Sequence, residues 1–141
     1  MNDWIVMANK GECVIFEKVR EGYVKLQTLG DQRLRQRESD LYSDRSGTAH
    51  TSFRSNQTRI SEEHYPEELA RKFANKITDY LDKNRHLGTF DKLTLVSGPS
   101  FVGYIRDAMS RPLQQKVGGE IVRNFLTQNE KELDSFLKIH Q

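Results

Sequence analysis

The sequence predicts one three-layer α/β domain over residues 1–141, in which three antiparallel strands precede alternating helices and strands. Apolar residues recur with a period of two in the first part of the chain and with helical spacing after residue 66. A chain of 141 residues is about one domain in length and is large enough to bury a core without disulfides or metals.

The first part of the chain is typical of an antiparallel meander. Residues 4–8 and 13–19 are apolar runs separated by turn-forming residues, and a second turn leads to residues 23–29. In this third run, Val24 and Leu26 are expected to point to one face, which is the pattern of a half-buried strand.

Helical spacing begins after Pro66, which suits the first turn of a helix. Leu69, Phe73, Ile77 and Leu81 form one apolar stripe, which predicts a helix to about residue 85 that stops near Gly88. Residues 90–96 are predicted as the fourth strand. Ser100 is expected to cap a second helix that buries Phe101, Ile105 and Met109.

Residues 113–117 are predicted to prolong the second helix, and Gly118-Gly119 to end it. Residues 121–126 are predicted as the fifth strand. Thr127 and Glu130 form a capping-box pattern that opens a last helix, packed through Leu133, Phe136 and Leu137. The order βββ, long loop, αβαβα is that of a ribonuclease H-like mixed sheet, because helical crossovers require parallel, right-handed connections.

Cysteine and histidine usage limits the chemistry. Cys13 is the single cysteine, so no disulfide framework is expected, and a reduced, cytoplasmic setting fits. The four histidines show no ligand spacing, and no metal site is predicted. No stretch approaches the roughly 20 apolar residues of a membrane span, so we expect neither a signal peptide nor a membrane partner.

A candidate anion or ligand pocket is expected where parallel strands end, near the point at which strand order reverses. Its residues are Asn9, Lys10, Ser97, Ser100, Arg106 and Thr127. Since two-metal nucleases need several carboxylates at such positions, nuclease activity is not expected. Simple helix capping is the preferred interpretation of Ser100 and Thr127. No nucleophile elbow or nucleotide-binding glycine pattern occurs, so no catalytic residue and no cofactor is assigned.

A polar segment over residues 30–64 interrupts the pattern, and a loop of this length is usually functional. Residues 31–60 carry six arginines, no lysine and four acids. The arginines are Arg33, Arg35, Arg37, Arg45, Arg54 and Arg59. Guanidinium groups grip phosphate bidentately and stack on bases, which favours RNA as the partner. A solvated loop with local ion pairs is the alternative.

Several short motifs resemble one bacterial family. They are residues 4–12, residues 43–47, Phe73-Ala74, residues 90–96 and residues 99–106. Together they are similar to the family named for attachment to host cells, over nearly the whole chain. That family is in turn similar to the central domain of archaeal and eukaryotic class-one release factors and of Pelota.

The resemblance implies a protein that binds the ribosome, ribosomal RNA or tRNA. Its physiological role would be to rescue ribosomes or to protect idle ones. Release factors carry Gly-Gly-Gln in the long loop to hydrolyse peptidyl-tRNA, and the equivalent residues 40–59 lack it. Gly118-Gly119-Glu120 is a near match outside that loop, which a helix-ending turn explains better. The alternatives are an interaction protein related to host attachment and, third, a small-molecule or hydrolytic enzyme.

Overall fold

The structure is a computed structural model that describes residues 2–30 and 67–140. Five strands form one sheet in the order β3-β2-β1-β4-β5. They are β1 (Asp3–Ala8), β2 (Glu12–Val19), β3 (Gly22–Gly30), β4 (Lys92–Ser97) and β5 (Val117–Val122). The helices are α1 (Glu67–Leu87), α2 (Pro99–Ala108), α3 (Arg111–Gln114) and α4 (Glu130–His140).

The sheet is mixed, as the connections require. β1 pairs antiparallel with β2 and parallel with β4, and β4 pairs parallel with β5. Tight turns can join only antiparallel strands, whereas α1 and α2 with α3 supply the crossovers that parallel strands need. The predicted mixed three-layer α/β architecture is confirmed.

One face of the sheet packs against α1, α2 and α3. Strand alternation places Trp4, Val6 and Ile15 on this face, where they meet the apolar stripe of α1. Phe73 of this stripe lies against Phe101 of α2, with ring centroids 6.0 Å apart. The stripe that the sequence predicts is therefore the buried face of α1, and Gly88 ends the helix with a φ of 71° that suits glycine.

The opposite face packs against α4. Ile5, Met7 and Phe16 contribute from the sheet, and the predicted Leu133, Phe136 and Leu137 from the helix. Phe125, from the connection before α4, stacks on Phe136 with ring centroids 3.9 Å apart. The sheet is thus covered on both sides, which gives the three layers.

The fifth strand begins four residues earlier than predicted. β5 spans Val117–Val122, so Gly118 and Gly119 lie inside a strand and do not end a helix. The register shifts between Leu93 and Thr94, and Gly118 is the extra residue opposite that shift. Glycine within a strand often marks such a bulge, so the prediction that these glycines end a helix was wrong.

The third strand is less buried than predicted. Val24 and Leu26 are 45% and 39% exposed. A register shift between Ile15 and Phe16 interrupts the alternation of β3, which lies at one end of the strand order. Leu26 is the extra residue of this bulge, so side chains before and after it that strict alternation would place on one face point to opposite faces. Tyr23 therefore packs towards α4 and Leu29 towards α1.

Cys13 is completely buried in β2, as expected for a small apolar residue. Burial, and secondly the Glu12 carboxylate, raise the pKa of its thiol far above the ordinary value. The unfolded chain therefore loses this proton at lower pH than the folded protein does.

We expect the free energy of unfolding to fall as the pH rises above about 8.5, by up to about 1.4 kcal/mol per pH unit from this thiol. Urea unfolding of the wild type and of Cys13→Ala between neutral and alkaline pH measures the effect. The variant should show the flatter pH dependence, and equal slopes would contradict the prediction.

Candidate functional site

The carboxyl ends of β1 and β4 bring Asn9 and Ser97 to one edge of the sheet, as predicted. Asn9 Oδ1 accepts hydrogen bonds from the backbone N–H groups of Gly11 and Glu12, each at 2.9 Å. Ser97 Oγ donates to the carbonyl oxygen of Ala8 at 3.0 Å and is fully buried. Both side chains therefore hold the local backbone, and Lys10 lies in the turn between β1 and β2.

The helix that follows β4 begins earlier than predicted. Gly98 is the N-cap of α2, Pro99 occupies the first turn, and no side chain caps the helix. Ser100 is exposed within that turn, so its predicted capping role is wrong. Proline has no N–H to satisfy and its φ suits the first helical position, which moves the start of the helix towards the N-terminus.

Thr127 is also not the cap that the sequence predicts. Asn129 caps α4, because its Oδ1 accepts from the N–H groups of Lys131 at 2.9 Å and Glu132 at 3.0 Å. Thr127 Oγ1 instead accepts from the N–H of Asn129 and donates to Glu132 Oε1, each at 3.0 Å. The asparagine side chain satisfies two helix-terminal donors, so the predicted capping box is not formed.

Arg106 lies two turns along α2 and pairs with Glu120 of β5 through two hydrogen bonds. The Glu120 carboxylate raises the pKa of the Arg106 guanidinium. This cation is thus already matched by a carboxylate.

Sequence reasoning missed Asn124, whose side chain lies directly over Gly98. A Cβ at Gly98 would fall 1.8 Å from Asn124 Oδ1, so the space beside the first turn of α2 is occupied by this amide. No local pattern indicates the contact, because it joins two connections that only the fold brings together. In residues 2–30 and 67–140, no group of three His, Cys, Asp or Glu side chains could hold a metal ion.

The arginine-rich segment, defined as residues 31–60, lies outside the described residues, and its six arginines with it. Gly30, the last described residue before this segment, contacts α1. Lys76 Nζ donates to the carbonyl oxygen of Gly30 at 3.1 Å. At the start of α1, Arg71 pairs with Glu67 at 3.1 Å and lies 5.1 Å from the ring centroid of Tyr104.

The exposed side of α1 beyond its first turn is mainly cationic. Its charged residues after the first turn are Arg71, Lys72, Lys76, Asp79 and Lys83. Lys72 pairs with Glu68 at 3.4 Å, but both side chains are more than half exposed, so this pair stabilises little.

None of the described helices has both the length and the apolar character that crossing a membrane requires. No curated protein matches the sequence. Solved structures to which the chain is similar include an archaeal protein, with 12% identity and a TM-score of 0.49. Pelota of Archaeoglobus fulgidus has 8% identity and a TM-score of 0.49. An archaeal translation termination factor has 10% identity and a TM-score of 0.48.

These likenesses cover 94%, 98% and 93% of this chain but only 32%, 31% and 32% of the respective structures, so the chain spans about a third of their length. The family model for proteins required for attachment to host cells matches residues 4–137, from the beginning of β1 into the last turns of α4. The chain belongs to this host-attachment family.

Proposed function

We propose that this protein is a non-catalytic binding protein that holds ribosomal RNA or tRNA through its arginine-rich segment and the adjoining face of α1. The observation that carries the proposal is the presence of six arginines and no lysine in residues 31–60. Arginine's planar, always-charged fork binds phosphate bidentately and stacks on unpaired bases, which a lysine ammonium does not do.

The exposed cations of α1 support this proposal. Lys76, whose Nζ donates to the carbonyl oxygen of Gly30 just before the segment, and Lys83 lie on the same helix and would add phosphate contacts. Charges spread over such a region bind RNA by releasing counterions, and affinity then falls steeply with salt.

Co-sedimentation with ribosomes at low and moderate salt tests the proposal directly. The wild type should pellet with ribosomes at low salt and be released as the salt concentration rises. A protein that stays in the supernatant at low salt overturns the proposal.

A matched set of variants tests the role of the arginines. Arg35→Gln with Arg37→Gln removes two candidate phosphate contacts, and the log–log salt slope should become shallower by about 1.5, at 0.7–0.9 per contact. Lys131→Gln with Lys138→Gln makes the same charge change on α4, across the sheet, and should leave binding unchanged. Replacing Arg35 and Arg37 by lysine should retain the slope but lower the affinity, and equal affinity would refute a specific role for guanidinium.

A second candidate function rests on the family membership. The family is described by a requirement for attachment to host cells, which favours an interaction protein that contributes to contact with a host surface. Immunodetection on intact and on permeabilised cells tests it. Direct adhesion requires signal on intact cells, and signal only after permeabilisation excludes it.

A further inference from the structure

Four polar side chains form a row across four strands where β1 and β4 begin. Asp3 pairs with Lys92 of β4, and Lys18 of β2 pairs with Tyr23 of β3. Trp4 pairs with Glu17, so Lys18 is the next residue of β2 beside Asp3. The row Tyr23, Lys18, Asp3, Lys92, called the Asp3 row below, therefore places a carboxylate between two lysines.

The Asp3 row lies on the face of the sheet that α4 covers, because Asp3 alternates with Trp4 and shares its face with Ile5. A hollow of about 140 Å³ opens there. Its lining residues are Asp3, Ile5, Lys18, Tyr23, Lys92, Leu93, Thr94 and Gly118. At about 30 Å³ of liquid per water, this volume corresponds to roughly four to five waters, so the hollow has room for a ligand about the size of a three-carbon acid.

The polar groups of the Asp3 row are incompletely matched within the described residues. Asp3 Oδ1 is buried and has no hydrogen-bond partner there. The side-chain ammonium groups of Lys18 and Lys92 likewise form no hydrogen bond or ion pair within residues 2–30 and 67–140. The hollow therefore has one buried acceptor and two ammonium groups that no described residue pairs. Leaving a buried acceptor without a donor costs free energy, which a ligand with a donor would recover.

The local charges define the ligand. The two lysines and one carboxylate that line the hollow leave a net charge of +1, which a monoanion would neutralise, whereas Asp134 of α4 is already paired with Lys138 at 3.2 Å. Burial, and secondly Asp134 of α4, raise the pKa of Tyr23, so its phenol remains protonated at neutral pH and adds no charge. The ligand must also bring a neutral donor for Asp3, since a second cation would be repelled by the lysines.

We propose that this hollow binds a small hydroxycarboxylate, with its carboxylate on Lys18 and Lys92 and its hydroxyl donating to Asp3 Oδ1. A second hollow of about 510 Å³ adjoins it, shares Asp3 and Lys18, and is also lined by Glu17 and Arg20. The site lies across the sheet from α1, and the inference does not depend on RNA binding.

Titration calorimetry of the full chain with glycerate, acetate and glycerol tests the proposal. Glycerate should bind, acetate should bind at least about tenfold more weakly because it lacks the hydroxyl, and glycerol should not bind. Equal affinity for glycerate and acetate, or no heat with millimolar glycerate, overturns the proposal.

Variants assign the contacts. Lys18→Met and Lys92→Met should each weaken glycerate binding at least about tenfold, whereas Lys138→Met, a 75% exposed side chain on α4, should leave it unchanged. Asp3→Asn should reduce the preference for glycerate over acetate, because the amide is a weaker acceptor and adds no charge. Thermal melting and NMR shifts of Ile5 and Tyr23 verify that each variant is folded and report binding at the hollow. Unchanged preference in Asp3→Asn overturns the assigned role of Asp3.

Discussion

Phe101→Ala is expected to lower the free energy of unfolding by about 3–5 kcal/mol, the range typical of buried phenylalanine truncations. Phe101 is 2% exposed at the start of α2. Its ring centroid lies 6.0 Å from the ring centroid of Phe73 and 6.3 Å from that of Tyr104. The alanine variant would leave a cavity between α1 and α2. Neither backbone can close it easily, because both helices are also held by the sheet.

Urea unfolding followed by circular dichroism measures this loss. Ile139→Ala is the matched control, since Ile139 is 75% exposed on α4 and its truncation should change stability by less than about 0.5 kcal/mol. A loss below about 1 kcal/mol for Phe101→Ala would contradict the packing between α1 and α2.

Trp4 gives the second large effect, and it separates ring packing from hydrogen bonding. The indole is 4% exposed, with its centroid 4.7 Å from Phe90 and 6.4 Å from Tyr80. Within the described residues its Nε1–H has no acceptor. Trp4→Ala should therefore cost about 3–5 kcal/mol through lost packing.

Trp4→Phe should cost much less, within about 1 kcal/mol of the wild type. Phenylalanine retains an aromatic ring but lacks the buried N–H that has no acceptor. The stability lost with the smaller contact area is therefore offset, because the penalty for burying an unpaired N–H is also removed. Denaturant unfolding of both variants by circular dichroism gives the comparison. Equal losses in the two variants would show that the indole N–H has a partner that stabilises the fold.

The prediction from sequence succeeded where one residue pattern decides the structure. The stripe of Phe73, Ile77 and Leu81 is the buried face of α1, because helical spacing places these side chains on one side whatever they meet. The apolar runs of residues 4–8 and 13–19 likewise became β1 and β2, the two neighbouring strands that are buried on both faces of the sheet. Element order also predicted parallel pairing among the later strands, whereas the structure shows that β4 pairs with β1.

Helix and strand ends were predicted less well, because competing local signals have similar strength. Ser100, Thr127 and Gly118-Gly119 each fit a familiar punctuation pattern. In the structure, α2 begins at Pro99, and Asn129 caps α4 by accepting two hydrogen bonds. The two glycines lie in β5, where Gly118 is the extra residue of a bulge opposite β4. Each of these outcomes depends on which backbone N–H and C=O groups still lack a hydrogen-bond partner once the neighbouring residues are in place.

The sequence by itself determined the layers of this protein, the faces of its helices and the position of its arginine-rich segment, since each follows from spacing along one stretch of chain. Only the tertiary structure decided that Asn124 covers Gly98 and that Lys18 and Lys92 flank Asp3. Those groupings depend on strand register, and register is set by packing of the whole sheet against its helices.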